Sequence, residues 1–503
     1  MELEAAHDSR RRVATPLLAW LLLALSAATC VLWFVHALGY WEDDAWIHLE
    51  FARSLATGHG FSFNGHVVYG DTSPLWVFLL VAFHAAIPSW MAAGKTLTAV
   101  AAVFAAAGVF FFSRSLVREK LAPADADIFA ATMVLIFVAN PYFDFWAFSG
   151  MEAVAAAGLV CWGVLTTLRT PIEPTRFLAG ALAAGLAPVL RPEMSFFTVL
   201  LGLVLLQRWF TLPTRRWGLL LSGLVLSAAP AIAWASFALH TFGRVVPNTN
   251  AAKRAPPYMS VVMRLLKVYG LGFPVLLIGV LLLAVWLLWY VLRGRSAGAV
   301  LRAQSLPAAG WLLFVWTAID CVFYVVDHTY VQTRYIFVTA PALTIVMLAI
   351  AAQYWPTIYR ALIAATVIFS LVLGGLSTWP LIRGKVENIR VKAELVEFLR
   401  TLPPDAPIAL YSIGEVGFLS QHPLIDTGGI TRPGIIPLLS DSTEDRRTAW
   451  IRSQGGKYEV IDHSPGPGAT LVWSREIPSE SWSLHMHSEQ DADRFMVWKL
   501  ANP

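Results

Sequence analysis

The stretch VATPLLAWLLLALSAATCVLWFVHALGYWEDDAW, residues 13–46, decides how the chain is read. Its apolar run, from about Val13 to Ala37, is long enough to cross the ~30 Å hydrocarbon core of a bilayer. It is too long for the core of a secretory signal, and no small-residue cleavage site follows it. A retained first span is therefore expected. Arg10, Arg11 and Arg12 precede it and place the N-terminus in the cytoplasm by the positive-inside rule. The acidic triplet Glu42-Asp43-Asp44 then emerges on the opposite, outer face.

The rest of the chain repeats this pattern. Of its 503 residues, 57% are hydrophobic and only 14% charged, with a mean hydropathy of +0.60. A soluble domain of that length needs more charge to cover its surface. Apolar segments recur at roughly 91–113, 127–140, 153–168, 177–190, 193–209, 218–239, 272–292, 307–326, 335–352 and 361–379. The net charge of +4 is small and dispersed, which excludes a nucleic-acid partner. Cys30, Cys161 and Cys321 all lie in apolar segments, so neither a disulfide framework nor a cysteine metal cluster is expected.

The basic loops at Arg114–Lys120, Arg169–Arg176, Arg208–Arg216, Arg293–Arg302 and Arg360 share one side only if the short segment Pro74–Ile87 does not cross. That segment is then expected in the outer interface. Eleven spans result, with the C-terminus outside. Residues 1–382 form the membrane domain, with a first outer loop at 40–73 and an interfacial helix at about 74–88. From 383 the composition changes. Val386–Leu399 reads as an amphipathic helix, and Ile408–Tyr411, Leu424–Asp426, Tyr458–Ile461, Ala469–Trp473 and Arg494–Trp498 as short strands between Gly- and Pro-rich turns. The expected fold is a polytopic α-helical membrane protein with a small extracytoplasmic α/β domain at 383–503.

Under this topology the polar residues without a positive-inside role collect on the outer face. Asp43 and Asp44 invite two readings. At least one is expected to cap the helix that starts near Ala45, and the other to offer a carboxylate as general base. Trp41 and Asp71 accompany them in the loop. Arg191 and Glu193 fit an ion pair at the helix break made by Pro192, but they and Arg334 lie at membrane depth, where ionisable groups usually face a polar cavity. Together with Lys253 these cations suit a lipid-linked phosphate; Lys253 and its neighbour Arg254 also fit a solvated loop. His48 and His59 lack the paired spacing of zinc ligands and read as substrate contacts. A divalent cation such as Mg²⁺ or Mn²⁺ on Asp43 or Asp44 is chemically compatible but not required. No Walker motif supports nucleotide hydrolysis, and no paired broken segments in two halves support a transporter or flippase, the alternative reading.

At this point the motifs resemble a known family. Glu42-Asp43-Asp44-Ala45-Trp46, Phe51-Ala52-Arg53-Ser54-Leu55-Ala56-Thr57-Gly58-His59-Gly60 and Gly70-Asp71-Thr72-Ser73-Pro74-Leu75-Trp76 resemble the first outer loop of the GT-C glycosyltransferase family that includes terminal β-1,2-arabinofuranosyltransferases. The resemblance continues through Ser149-Gly150-Met151-Glu152, Leu190-Arg191-Pro192-Glu193, Val246-Pro247-Asn248-Thr249 with Lys253, Arg334-Tyr335, and Ile425-Asp426-Thr427-Gly428-Gly429-Ile430. It implies transfer of a sugar, arabinofuranose in the enzymes it resembles, from a polyprenyl-phosphate donor to a glycan, lipid or protein acceptor outside a bacterial inner membrane. By resemblance, the base is Asp43 or Asp44. The phosphate ligands are Arg191, Lys253 and Arg334. Trp41, His48, His59, Asp71, Glu152, Glu193, Asn248 and Tyr335 are substrate contacts. His48-Leu49-Glu50-Phe51 departs from the family, which often has a Tyr-Arg pair here, so substrate contacts are expected to differ.

Overall fold

The computed structural model describes residues 2–169, 171–212, 214–253, 258–279, 308–439, 444–477 and 494–501. Among these, seven helices are long and apolar enough to cross a membrane: Pro16–His36, Trp90–Val117, Pro192–Phe210, Trp217–Phe242, Ala309–Val326, Thr333–Gln353 and Tyr359–Leu399. The chain is a multi-pass membrane protein. Shorter helices, Pro123–Val138, Ala153–Thr166 and Pro174–Leu190, stand where three further spans were expected. The expected span 272–292 lies beyond residue 279 outside the described residues, as do Arg254 and the loop carrying Arg293, Arg295 and Arg302. Burial ranks the helices. Thr333–Gln353 is 78% buried and central, whereas Trp217–Phe242 is 11% buried and presents an apolar perimeter of the kind lipid covers.

The helix Pro74–Ala86 has 13 residues. At 1.5 Å per residue it spans about 20 Å, short of the bilayer core. Ser73 N–H donates to Asp71 Oδ1 at 2.6 Å just before it, and Pro74 opens its first turn.

A helix runs across the expected boundary at 383: Pro356–Leu373 continues through a π-turn at Gly374–Thr378 into Trp379–Leu399. The composition changes there because the helix becomes amphipathic, burying Val391, Leu395, Val396 and Leu399. Beyond it stand five strands, β3 (Ile408–Leu410), β4 (Leu424–Asp426), β5 (Tyr458–Val460), β6 (Thr470–Glu476) and β7 (Arg494–Lys499). They form one sheet in the order β4-β3-β5-β7-β6, with β3 parallel to β4 and β5, and β7 antiparallel to both neighbours. A helix at Ile413–Ser420 links β3 to β4 and packs on the first loop.

That loop is a folded unit. Its helix Asp43–Ala56 is followed by a small hairpin, β1 (Ser62–Phe63) and β2 (His66–Val67). The hairpin turns on Asn64-Gly65 with φ of +46° and +78°, the pair of positive values that a type I′ turn needs. Lys95, buried in Trp90–Val117, ties the loop to the bundle. Its ammonium donates to the carbonyls of Ala37 at 2.9 Å and of Tyr40 and Phe148 at 2.5 Å. Gly150 holds the next contact, at φ +90°, where an added Cβ would lie 2.6 Å from Trp41 and 2.7 Å from Ala45. Strain and overlap together predict that Gly150→Ala costs on the order of 3 kcal/mol. Thermal unfolding in detergent, with a clearly lowered midpoint, is the check.

Candidate active site

Successive residues on a helix project about 100° apart, and this separates the two aspartates. Asp43 turns to the C-terminal part. Its Oδ2 accepts Gly414 N–H at 3.0 Å, its Oδ1 accepts Glu415 N–H at 3.3 Å, and Lys392 Nζ lies 3.5 Å away. It thus caps the helix Ile413–Ser420 and not its own. Residue 42 holds the N-cap position of Asp43–Ala56 without a side-chain cap bond. Asp44 turns to a cleft among the helices. Lys253 Nζ and Arg334 Nη2 both reach its Oδ2, at 2.8 and 2.5 Å. Burial alone would raise the Asp44 carboxyl, but the two cations outweigh it and hold it well below the usual range. Lys253 follows the short helix Asn248–Ala252, and Arg334 opens the helix Thr333–Tyr354.

One turn beyond Asp44 on the same face, His48 begins a buried chain of alternating charge. Its Nδ1 lies 2.5 Å from Asp71 Oδ2 and its Nε2 3.3 Å from Glu152 Oε2. Glu152 Oε1 accepts from Arg191 Nη1 at 2.5 Å, and Arg191 Nε and Nη2 donate to Glu193 Oε1 at 2.6 and 2.5 Å. Arg191 also lies over the Tyr335 ring, 5.3 Å from its centroid. Burial would lower the His48 pKa, yet the Asp71 charge and the bonds to Asp71 and Glu152 lift it to about 10. An unfolded histidine titrates near 6.5, so this contribution is complete below pH 6.5 and disappears as pH rises through about 10. The melting temperature is expected to fall across that window, and His48→Gln to flatten the fall.

The cleft measures about 470 Å³ and is lined by Asp44, His48, Asp71, Glu152, Arg191, Glu193, Lys253, Arg334 and Tyr335, all named from the sequence. Four other expected residues do not line it. Trp41 is core packing beneath Lys95 and against Trp46. His59 is exposed and bonds Thr57. Asn248 bridges the backbones of Tyr69 and Ile430. Asp43 lies on the far side of its helix. Arg191 lines the cleft with its guanidinium engaged by two carboxylates, Glu152 and Glu193. Met151, Asn250, Tyr324 and Asp327 line the cleft without having been singled out. Tyr324 and Asp327 lie about one turn apart at the end of the helix Ala308–Val326, a spacing that carries the signal.

A divalent cation does not fit the expected pair. Asp43 and Asp44 do not converge, and Asp44 already shares one oxygen with two cations, whose charge opposes a third. Among the described residues, no group of three or more His, Cys, Asp or Glu side chains has metal-holding geometry.

No family model matches the chain. Over 264 residues it is 28% identical to the terminal β-(1→2)-arabinofuranosyltransferase of Corynebacterium glutamicum, covering 46% of this chain and 36% of that protein. The chain thus matches about a third of the length of that curated relative. Its structure is similar to ArnT from Cupriavidus metallidurans bound to undecaprenyl phosphate, with a TM-score of 0.54 at 14% identity over 96% of this chain and 98% of that one. It is also similar to the Archaeoglobus fulgidus oligosaccharyltransferase, with a TM-score of 0.50 at 12% identity over 88% of this chain and 69% of that one. The continuous helical frame, with a C-terminal part packed on its first loop, is therefore the fold of ArnT and of that oligosaccharyltransferase.

Proposed function

We propose that the chain is a glycosyltransferase of the outer face of a bacterial inner membrane, moving a sugar from a polyprenyl-phosphate donor to a cell-envelope acceptor. The observation that carries this reading is the convergence of Asp44, Lys253 and Arg334 on one cleft among apolar helices. Lys253 and Arg334 are the ligands for the donor phosphate, and Asp44 is the base. The likeness to an arabinofuranosyltransferase favours arabinofuranose as the sugar, and the ArnT structure shows that this fold accommodates undecaprenyl phosphate in a relative.

The step balances without a cofactor. The acceptor hydroxyl gives its proton to the Asp44 carboxylate while its oxygen bonds to the anomeric carbon. The bond from that carbon to the phosphate oxygen breaks, and its electron pair leaves with polyprenyl phosphate. Lys253 and Arg334 stabilise the charge gathering there. His48, Asp71, Glu152, Glu193 and Tyr335 complete the lining of the cleft and hold the sugar and acceptor. The test is to incubate the purified protein with a panel of polyprenyl-phosphate sugars and a cell-envelope acceptor. Release of polyprenyl phosphate with one donor is expected; no release with any of them overturns the reading.

A further inference from the structure

The cations that the donor phosphate needs are not idle in this structure. Lys253 and Arg334 meet on the same oxygen, Asp44 Oδ2, at 2.8 and 2.5 Å. Among the described residues no other carboxylate pairs with either, whereas the neighbouring Arg191 is held by both Glu152 and Glu193. A base in that grip is weak, because the charges that steady its anion also oppose its taking up a proton. A phosphate group entering the cleft offers the same cations more oxygens, and bidentate contact suits the Arg334 guanidinium.

Resting on the reading above, we propose that Asp44 is a latent base, held by Lys253 and Arg334 until the donor phosphate takes both cations and frees its carboxylate for the acceptor hydroxyl. Donor binding then precedes and enables proton removal. The acceptor is not deprotonated in a cleft without a donor, and a bound water is no better served. The return step uses the same exchange. Transfer converts a phosphodiester donor into a phosphomonoester product that carries more negative charge and holds the cations more firmly. It also leaves Asp44 protonated and neutral. Loss of that proton restores the Asp44 anion, which competes for Lys253 and Arg334 and helps expel the product.

The exchange makes an unusual prediction for the full-length protein. Asp44→Asn keeps the shape but removes the competitor, so undecaprenyl phosphate is expected to bind about tenfold more tightly than to the wild type, a coupling of ordinary size. Binding is measured by titration calorimetry in detergent, with thermal unfolding showing that the variant is folded. Equal or weaker binding to the folded variant overturns the latch. As a check that needs no variant, protein labelled with ¹³C at the aspartate carboxylates is expected to show an infrared difference in the carboxylate stretch when undecaprenyl phosphate is added to the wild type. A silent difference spectrum overturns it as well. A wild type that binds and transfers while Asp44→Asn binds no better refutes the latch alone. A wild type that neither binds undecaprenyl phosphate nor turns over any donor refutes the glycosyltransferase reading, and the latch with it.

Discussion

Asp44→Asn is expected to lower turnover by about a hundred- to ten-thousandfold, the contribution of a positioned general base, in a protein that still folds in the membrane. The amide has nearly the carboxylate's shape, so packing around residue 44 is preserved. What it lacks is the capacity to take a proton. Release of polyprenyl phosphate under saturating donor and acceptor is the measurement, and a variant within tenfold of the wild type would remove Asp44 from the base role. Asp43→Asn provides the contrast. Its carboxylate serves the backbone of Gly414 and Glu415 on the other side of the helix, so its loss weakens docking and leaves the larger part of the turnover intact.

The second large effect concerns stability. Glu152 is the central carboxylate of the chain from Asp71 to Glu193, flanked by His48 and Arg191. Glu152→Ala removes the one group that serves both cations and leaves each with a single carboxylate in a buried setting. Breaking a buried pair from one side typically costs about 3–5 kcal/mol. The melting temperature is expected to drop steeply, and a Glu152→Gln variant to recover part of it by still accepting from Arg191. A melting temperature unchanged in Glu152→Ala would show that the chain contributes no net stability.

The residue types of the site were legible in the sequence, but their pairings were not. Charge bookkeeping along the loops is enough to bring Asp44, Lys253 and Arg334 to one face. Their contact joins positions 209 and 290 residues apart, a separation at which nothing local chooses one partner over another. Arg191 shows both cases: its pair with Glu193, two positions away, is a local expectation, whereas its pair with Glu152, 39 positions away, has no local signal. The neighbours Asp43 and Asp44 looked interchangeable because only the placement of the helix Ile413–Ser420 assigns them different partners. That helix escaped notice as well. It is short, and Gly414 and Gly417 weaken its local preference, so its stability comes from packing on the first loop.

Strands were easier, since Gly and Pro turns bound them closely, and Leu424–Asp426 was placed to the residue. A helix runs through Gly374-Gly375 and Pro380 despite the same punctuation. Packing against the bundle carries the helix through them by way of a π-turn. The Asn64-Gly65 hairpin carried a clear local signal of its own.

The helix Asp43–Ala56 has a consequence for how this protein can be taken apart. It is gripped from two sides. Asp44 is held by the bundle, while Asp43, Trp46 and Arg53 are held by the segment Ile413–Ser420, through the Gly414 and Glu415 amides, the Phe418 ring at 5.3 Å and the Phe418 carbonyl at 2.9 Å. The two halves therefore share one beam, and neither is a free-standing module. Removing or exchanging the part after residue 400 would let that beam tilt, and the damage would register as lost chemistry in a cleft whose lining had not been touched.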